Sequence, residues 1–200
     1  MSPREQRAEQ RRLDILEAAL DVFAVKGYHA TGIADIAKLL GIGHGTFYRY
    51  FANKRAIFDA LVSNTIAGIA QVLRDEPPTT NSLAEYEQQL YQIAGRMFSL
   101  FAADVRLSRI LLFEAPGVDA ELHQQFQTAM GGFALLTEQY LRNGQHKGFL
   151  RAMDTGISAR AINAVLIEGI REVCFSDNPE QQAQRWTEQG VPIMLRGISA

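Results

Sequence analysis

The residues best suited to chemistry in this chain stand close together. His44, Thr46, Tyr48, Arg49 and Tyr50 follow one another in a short segment that holds no carboxylate. A surface of hydrogen-bond donors and aromatic rings without acidic groups suits a phosphate-lined groove. Catalytic chemistry has weaker support. No His/Asp/Ser or Cys/His set appears at a recognisable spacing. Asp119 and His123 can share a helix face, but two ligands do not make a metal site. Glu114, Glu121 and Glu138 lack the partner arrangement that acid–base work needs. Gly41, Gly43 and Gly45 follow no strand, and their spacing is wrong for a dinucleotide fingerprint. Cys174 is the single cysteine and lies in an apolar helical pattern, so it reads as a buried structural thiol. No enzyme activity, metal or cofactor is expected.

The elements that must position this segment are helical. Apolar residues recur every three or four positions, and Pro, Gly, Asn and Asp punctuate them. Leu13, Leu16, Leu20 and Phe23 make one stripe on a first helix, roughly Arg7 to Val25, with Gly27 suited to a left-handed cap. Thr31 is the expected N-cap of a helix from Ile33 to Leu40, with Asp35 in its first turn. Gly41-Ile42-Gly43 makes a tight turn, and a second short helix covers His44 to Tyr50. Ile36, Ala37, Ile42 and Phe47 face inward, and Phe51 is also core. This layout is a helix-turn-helix.

Asn53 caps a fourth helix to about Arg74, ended by Pro77-Pro78. Ser82 and Glu85 read as a capping box for a helix to about Ala102. Asp104 opens a short helix that stops before Pro116-Gly117, and Asp119 opens a long one to about Asn143. A loop from Gly144 to Gly156 leads to a helix from Ser158 to Phe175. Asn178, Pro179 and Gln181 start the last helix, which runs to about Gly197 with a kink expected at Pro192. The expected fold is all-α, with about nine helices and no internal repeat. A helix-turn-helix domain would cover residues 1–53, and a helical body residues 54–200.

Three patterns in this region resemble the tetracycline-repressor (TetR) family of bacterial regulators. They are Ile15-Leu16 through Gly27, Thr31 through Ala37, and Gly41 through Lys54, in that order and spacing. The resemblance implies that Thr46, Tyr48 and Tyr50 contact DNA, mostly its backbone, and that Lys54 meets a phosphate. His44 stands where the family often has a base-contacting side chain; His44 and Arg49 are the candidates for base-edge or sugar contacts. Gly43 stands where the family usually has Ser or Thr, so the hydroxyl that often touches a phosphate there is missing.

The resemblance also implies a C-terminal ligand pocket and a homodimer interface. Met97, Phe98, Phe101, Leu111, Phe126, Met130 and Phe133 are adaptable or aromatic residues that could line an apolar cavity. Arg106, Arg109 or Glu114 would serve as its polar anchors. Gly131-Gly132 would either make room for a ligand or let two helices cross closely. The dimer helices would be the last two. Ala161, Val165, Glu168 and Glu172 share one face, and Arg185 and Arg196 are placed to offset the two glutamates.

Charge agrees with this division. The net charge is −2 overall, but the first 55 residues carry a basic excess and the rest an acidic one. An anionic partner for the N-terminal quarter alone is implied. The arm residues Arg4, Arg7, Arg11 and Arg12 could add non-specific phosphate attraction or enter the minor groove. The N-terminus is polar, and no run of about 18 apolar residues exists, so a cytoplasmic protein without a membrane partner is expected. The reading that unites these features is a repressor that leaves its DNA operator when a small-molecule effector binds. The alternative is a DNA-associated protein that recruits a protein partner without an effector.

Overall fold

The computed structural model describes residues 2–199, apart from the side chain of Leu111, a candidate cavity residue that therefore lies outside the described part. Helix α1 (Pro3–Lys26) opens on a reciprocal capping box. The Ser2 hydroxyl accepts from the Glu5 N–H, and the Glu5 carboxylate accepts from the Ser2 N–H. Ile15, Leu16, Ala19 and Phe23 are buried on its inner face. Leu13, expected in the same stripe, lies on the flank of that face and is 46% exposed.

Thr31 is not the cap of α2 (Ile33–Leu40). Its hydroxyl donates to the Gly27 carbonyl at 2.7 Å, and Gly32 is the N-cap, its N–H donating to the Asp35 carboxylate at 2.9 Å. Gly27 has positive φ but an extended ψ, so it turns the chain without the left-handed helical geometry expected of it. Gly41, with φ 64° and ψ 32°, is the true left-handed cap. The α3 helix is shorter than expected, His44–Phe47, and a turn carries the chain on to Tyr50.

Helix α4 (Lys54–Asp75) starts at Asn53, whose side chain accepts from the Ala56 N–H. By length and composition α4 could cross a membrane, which a search for unbroken apolar runs does not detect. Its apolar residues have another role here, since Ile57, Phe58, Leu61 and Ile69 are buried in the protein core. Helix α5 (Leu83–Ala103) starts at Ser82. Glu85 returns a hydrogen bond to the Asn81 N–H rather than to Ser82, so only half of the expected capping box forms.

The segment after Asp104 departs most from expectation. Instead of stopping before Pro116, α6 (Val105–Arg109) passes through a π-helical turn (Ile110–Glu114) into α7 (Ala115–Val118). The Ala115 N–H bonds the Ile110 carbonyl five residues back. Pro116 falls in the first turn after that widening, where its missing N–H costs least. Counted as one, α6 to α7 bring the described residues to nine helices.

Helix α8 (Ala120–His146) runs past Gly144, and α9 (Thr155–Phe175) is capped by Asp154 rather than starting at Ser158. The α8–α9 loop is thus shorter than the one expected. Gly144 is required where it stands, because a Cβ there would lie 2.4 Å from the Leu150 side chain. Helix α10 (Pro179–Ile198) starts at Asn178 as expected and continues as a helix through Pro192.

Two clusters make the core. The larger joins α1, α2 and α4 to the lower parts of α5, α8 and α9. The smaller gathers Tyr86, Tyr140, Leu141 and Ala159 where the start of α5, the end of α8 and the start of α9 meet.

Candidate nucleic-acid interface and effector cavity

The helix-turn-helix is built from the inside outward. Ile36, Ala37 and Phe47 are buried, and the Phe47 ring holds Tyr48 edge-on at 5.6 Å. Phe51 is also buried, with the Arg12 guanidinium 5.3 Å over its ring. Anchoring Phe47 and Phe51 in this way leaves His44, Tyr48 and Arg49 exposed, with Thr46 and Tyr50 half-buried beside them. No acidic residue stands in the first turn of α3. Arg4 and Arg7 are exposed on α1, whereas Arg11 and Arg12 lie near Asp14 and Glu9.

Lys54 is placed differently from the other candidates. Its ammonium donates to the carbonyls of Tyr28 (2.6 Å), Thr31 (2.8 Å) and His29 (3.4 Å), and lies 4.2 Å from the Tyr28 ring centroid. An ammonium has three hydrogens, so contact with a phosphate would compete with these carbonyls.

Gly43 has φ −73° and ψ 151°, which any residue adopts, and a Cβ there meets nothing within 4 Å. Gly43→Ser should therefore be accepted and gain both a side-chain cap and a phosphate-reaching hydroxyl. Duplex affinity should rise about 3–10-fold, from one added hydrogen bond. Fluorescence anisotropy on a labelled duplex checks this, and unchanged or weaker binding counts against it. Tyr48→Ala should weaken binding about tenfold on every duplex, by loss of one hydrogen bond to a charged group. His44→Ala should instead shift sequence preference; an equal loss on selected and random DNA would refute that second expectation.

Three side chains join the head and α4 to the rest of the body. Arg106, on α6, bonds Glu17 (2.6 Å) and Asp21 on α1, as well as Asp104 (2.6 Å). Glu114, in the π turn, accepts from the Tyr28 N–H at 2.7 Å. Arg55, on α4, pairs with Asp119 at the start of α8. Arg106 and Glu114 thus serve a junction and not a cavity. Arg109 donates to the Cys174 carbonyl at 3.2 Å and lies over the Phe175 ring, so it is also not a cavity anchor. Cys174 itself is buried, and burial pushes its thiol pKa up, as a structural role requires.

Between α4, α5, α8 and α9 lies a cavity of about 440 Å³. Met97, Phe101, Met130 and Phe133 line it as expected. Phe98 does not: it packs on Trp186 with centroids 6.3 Å apart, against Gly169, where a Cβ would fall 2.7 Å from the Phe98 ring. Phe126 lines a small adjacent crevice with Val62 and Leu122. Gly131 lines the cavity and has no neighbour within 4 Å of a Cβ position, nor has Gly132, so neither glycine serves a close helix crossing. Sequence reasoning missed Tyr86, Thr137, Arg160 and Asn163, all on the cavity wall. A signal existed for two of them: Arg160 and Asn163 continue the three-and-four spacing of Leu166 and Ile170 on α9.

Residues 15–61 match the family described as "Bacterial regulatory proteins, tetR family". ArpR of Pseudomonas putida, described as a probable HTH-type transcriptional regulator, is 30% identical over 198 residues, covering 94% of this chain and 92% of that protein. The chain belongs to the TetR family. It is therefore a DNA-binding transcriptional regulator. The fatty acid metabolism regulator protein of Bacillus subtilis strain 168 is 25% identical over 166 residues, 82% of this chain and 84% of that one. The crystal structure of FadR from Bacillus subtilis in complex with stearoyl-CoA shares the fold, with TM-score 0.70 at 23% identity over 92% of this chain and 98% of that one.

In this TetR-family regulator the expected dimer face is only partly as anticipated. Ala161 and Glu168 are exposed on α9, and Val165 and Glu172 half-buried. The two glutamates are bonded by Arg171, at 2.6 Å and 2.8 Å. Arg185, on α10, bonds Gln182 instead, and Arg196 pairs with neither glutamate. Ile157 (67%) on α9 and Ile193 (69%) on α10 are exposed apolar residues, whereas Ile167 (37%) lines the cavity.

Proposed function

We propose that this regulator is a ligand-responsive repressor that holds its operator as a homodimer and leaves it when a small molecule enters the cavity. The observation that carries this reading is the shared π turn. Leu112 lines the cavity, and two residues further on Glu114 holds the backbone of Tyr28 in the head. An occupant that displaces Leu112 must move Glu114 relative to the head, which gives the ligand a differential affinity for two arrangements. The cavity falls within the size range of small-molecule sites, and a body filled by its own side chains would have favoured a recruiting protein instead. The solved FadR relative carries stearoyl-CoA, which supports a lipophilic effector. Dimerisation has a mechanical purpose, because two copies of α3 can then reach successive major-groove half-sites.

The test is a selection from random duplex DNA followed by effector challenge. The expected result is a palindromic site bound by wild type and released by lipophilic extract. Gly131→Leu, which fills open space at the cavity wall, should keep DNA binding and resist release. Absence of any sequence preference defeats the regulator reading, and release unaffected by Gly131→Leu defeats the cavity's role.

A further inference from the structure

The polar groups of the cavity are not spread evenly around its wall. Tyr86, Thr137, Asn163 and Arg160 lie where the start of α5, the end of α8 and the start of α9 converge. The opposite end is formed by Phe101, Leu112, Phe133 and Ile170, all apolar, with Gln127 the one polar lining group toward that end. Tyr86 and Phe101 both line the wall from α5, and a helix rises about 1.5 Å per residue, so the cavity extends roughly 22 Å along it. It is long and narrow, polar at one end and apolar at the other.

At the polar end, hydrogen-bonding capacity is left over. Tyr86 is only 2% exposed, and no group among the described residues hydrogen-bonds its hydroxyl. Burial pushes its phenol pKa well above the usual range, so it stays a donor at neutral pH. The hydroxyl is therefore free to donate to an occupant of the cavity. Thr137 donates to the Asn163 side-chain carbonyl at 2.8 Å, and no acceptor among the described residues takes the Asn163 amide hydrogens. Arg160 makes one long contact, 3.4 Å to the Gly156 carbonyl, and no ion pair among the described residues. Glu138, the acidic group facing the same turn of α9, is taken by Arg142 and Thr155. The groups left without a protein partner are therefore donors, one of them, Arg160, cationic and solvent-exposed.

Resting on the effector reading above, we infer that the cavity takes a single-chain acyl amphipath, its oxygen-bearing anionic end held by Arg160, Asn163 and Tyr86. Its hydrocarbon chain lies along α5 toward Leu112. A free long-chain carboxylate and an acyl thioester share this chemistry. A neutral or cationic amphipath of the same length does not satisfy the donors. This orientation also sets the far end of the chain, not the head, against the π turn, so chain length decides how hard Leu112 is pressed.

The experiment is calorimetry on the full chain without DNA, using sodium palmitate, palmitoyl-CoA, hexadecanol and hexadecyltrimethylammonium below their micellar concentrations. Palmitate, palmitoyl-CoA or both should bind, and the alcohol and the cation should bind at least about tenfold more weakly, by loss of a charge-assisted contact. Arg160→Gln should weaken the anionic ligand by a similar factor. Tyr86→Phe, which changes no packing volume, should weaken it about threefold. Palmitoyl-CoA binding without palmitate identifies the thioester as the source and supports the assignment. Equal binding of the cation, or wild-type affinity in both variants, overturns it, as does failure of both acyl ligands to bind. Palmitate that binds with the expected variant pattern yet leaves DNA bound upholds this assignment and overturns only the release mechanism.

Discussion

Phe58→Ala should destabilise the protein by about 3–5 kcal/mol, the usual cost of truncating a buried aromatic ring. Phe58 is fully buried. It meets Phe23 of α1 edge-on at 5.5 Å and Tyr28 of the α1–α2 loop at 4.8 Å. Phe58 is the one aromatic residue of α4. The lost ring leaves a cavity at the point where the head is seated on its stalk, and the neighbouring rings cannot collapse far because Lys54 holds the loop in place. The melting temperature should fall by roughly 6–20 °C for a chain of this size. Circular dichroism on heating measures it, with Phe58→Leu as a milder control. A fall of only a degree or two would mean that the head is held by something other than this aromatic group.

The second large effect concerns signalling rather than stability. Glu114→Ala should abolish most of the effector response while leaving unliganded DNA binding within a few-fold of wild type. Couplings between sites typically amount to about 5–150-fold in affinity. In the variant the operator affinity with and without effector should converge. The carboxylate is the hydrogen-bond acceptor of the Tyr28 N–H, 86 residues away in sequence, so it carries displacement of the π turn into the head. Glu114→Gln, which keeps an acceptor oxygen, should restore part of the response. Anisotropy titrations of a labelled operator with and without effector decide the matter. A fully responsive Glu114→Ala protein would place the signal on Arg106 or Arg55 instead.

Much of the fold was legible because its starts are written in local chemistry. Asn53, Ser82, Asp104, Asp119 and Asn178 all cap the helices expected of them. Thr31 misled because its hydroxyl competes for a backbone carbonyl next door, and a glycine with an acidic residue three places on can cap equally well. Pro116 misled because proline is a reliable stop only for hydrogen bonds of α-helical spacing. A single π turn shifts the bonding register and leaves no trace in apolar periodicity. The exposed donor face of α3 was legible, since donors without carboxylates are unusual on an exposed helix. The cavity was half legible. Its apolar residues look like core in any sequence, and its polar ones, Arg160, Asn163 and Tyr86, look like surface. Arg106 and Glu114 failed for a related reason: a charge beside an aromatic run suits a ligand anchor and a domain junction equally, and only three-dimensional proximity to Glu17, Asp21 and Tyr28 separates the two.

The three carbonyls gathered by the Lys54 ammonium have a mechanical consequence. They fasten the α1–α2 loop to the first residue of α4, so the head and α4 form a single stiff lever. From Lys54 to Leu73 this lever is roughly 28 Å long at helical rise. Its far arm, at Ile69 and Leu73, forms part of the cavity wall. A tilt of that arm would therefore carry Tyr48 and Arg49 with it, and Glu114, bonded to the same loop at Tyr28, ties the π turn to the same motion. Were two copies paired as proposed, opposed swings would add, so that a small change of angle in each would alter the spacing of the two α3 helices.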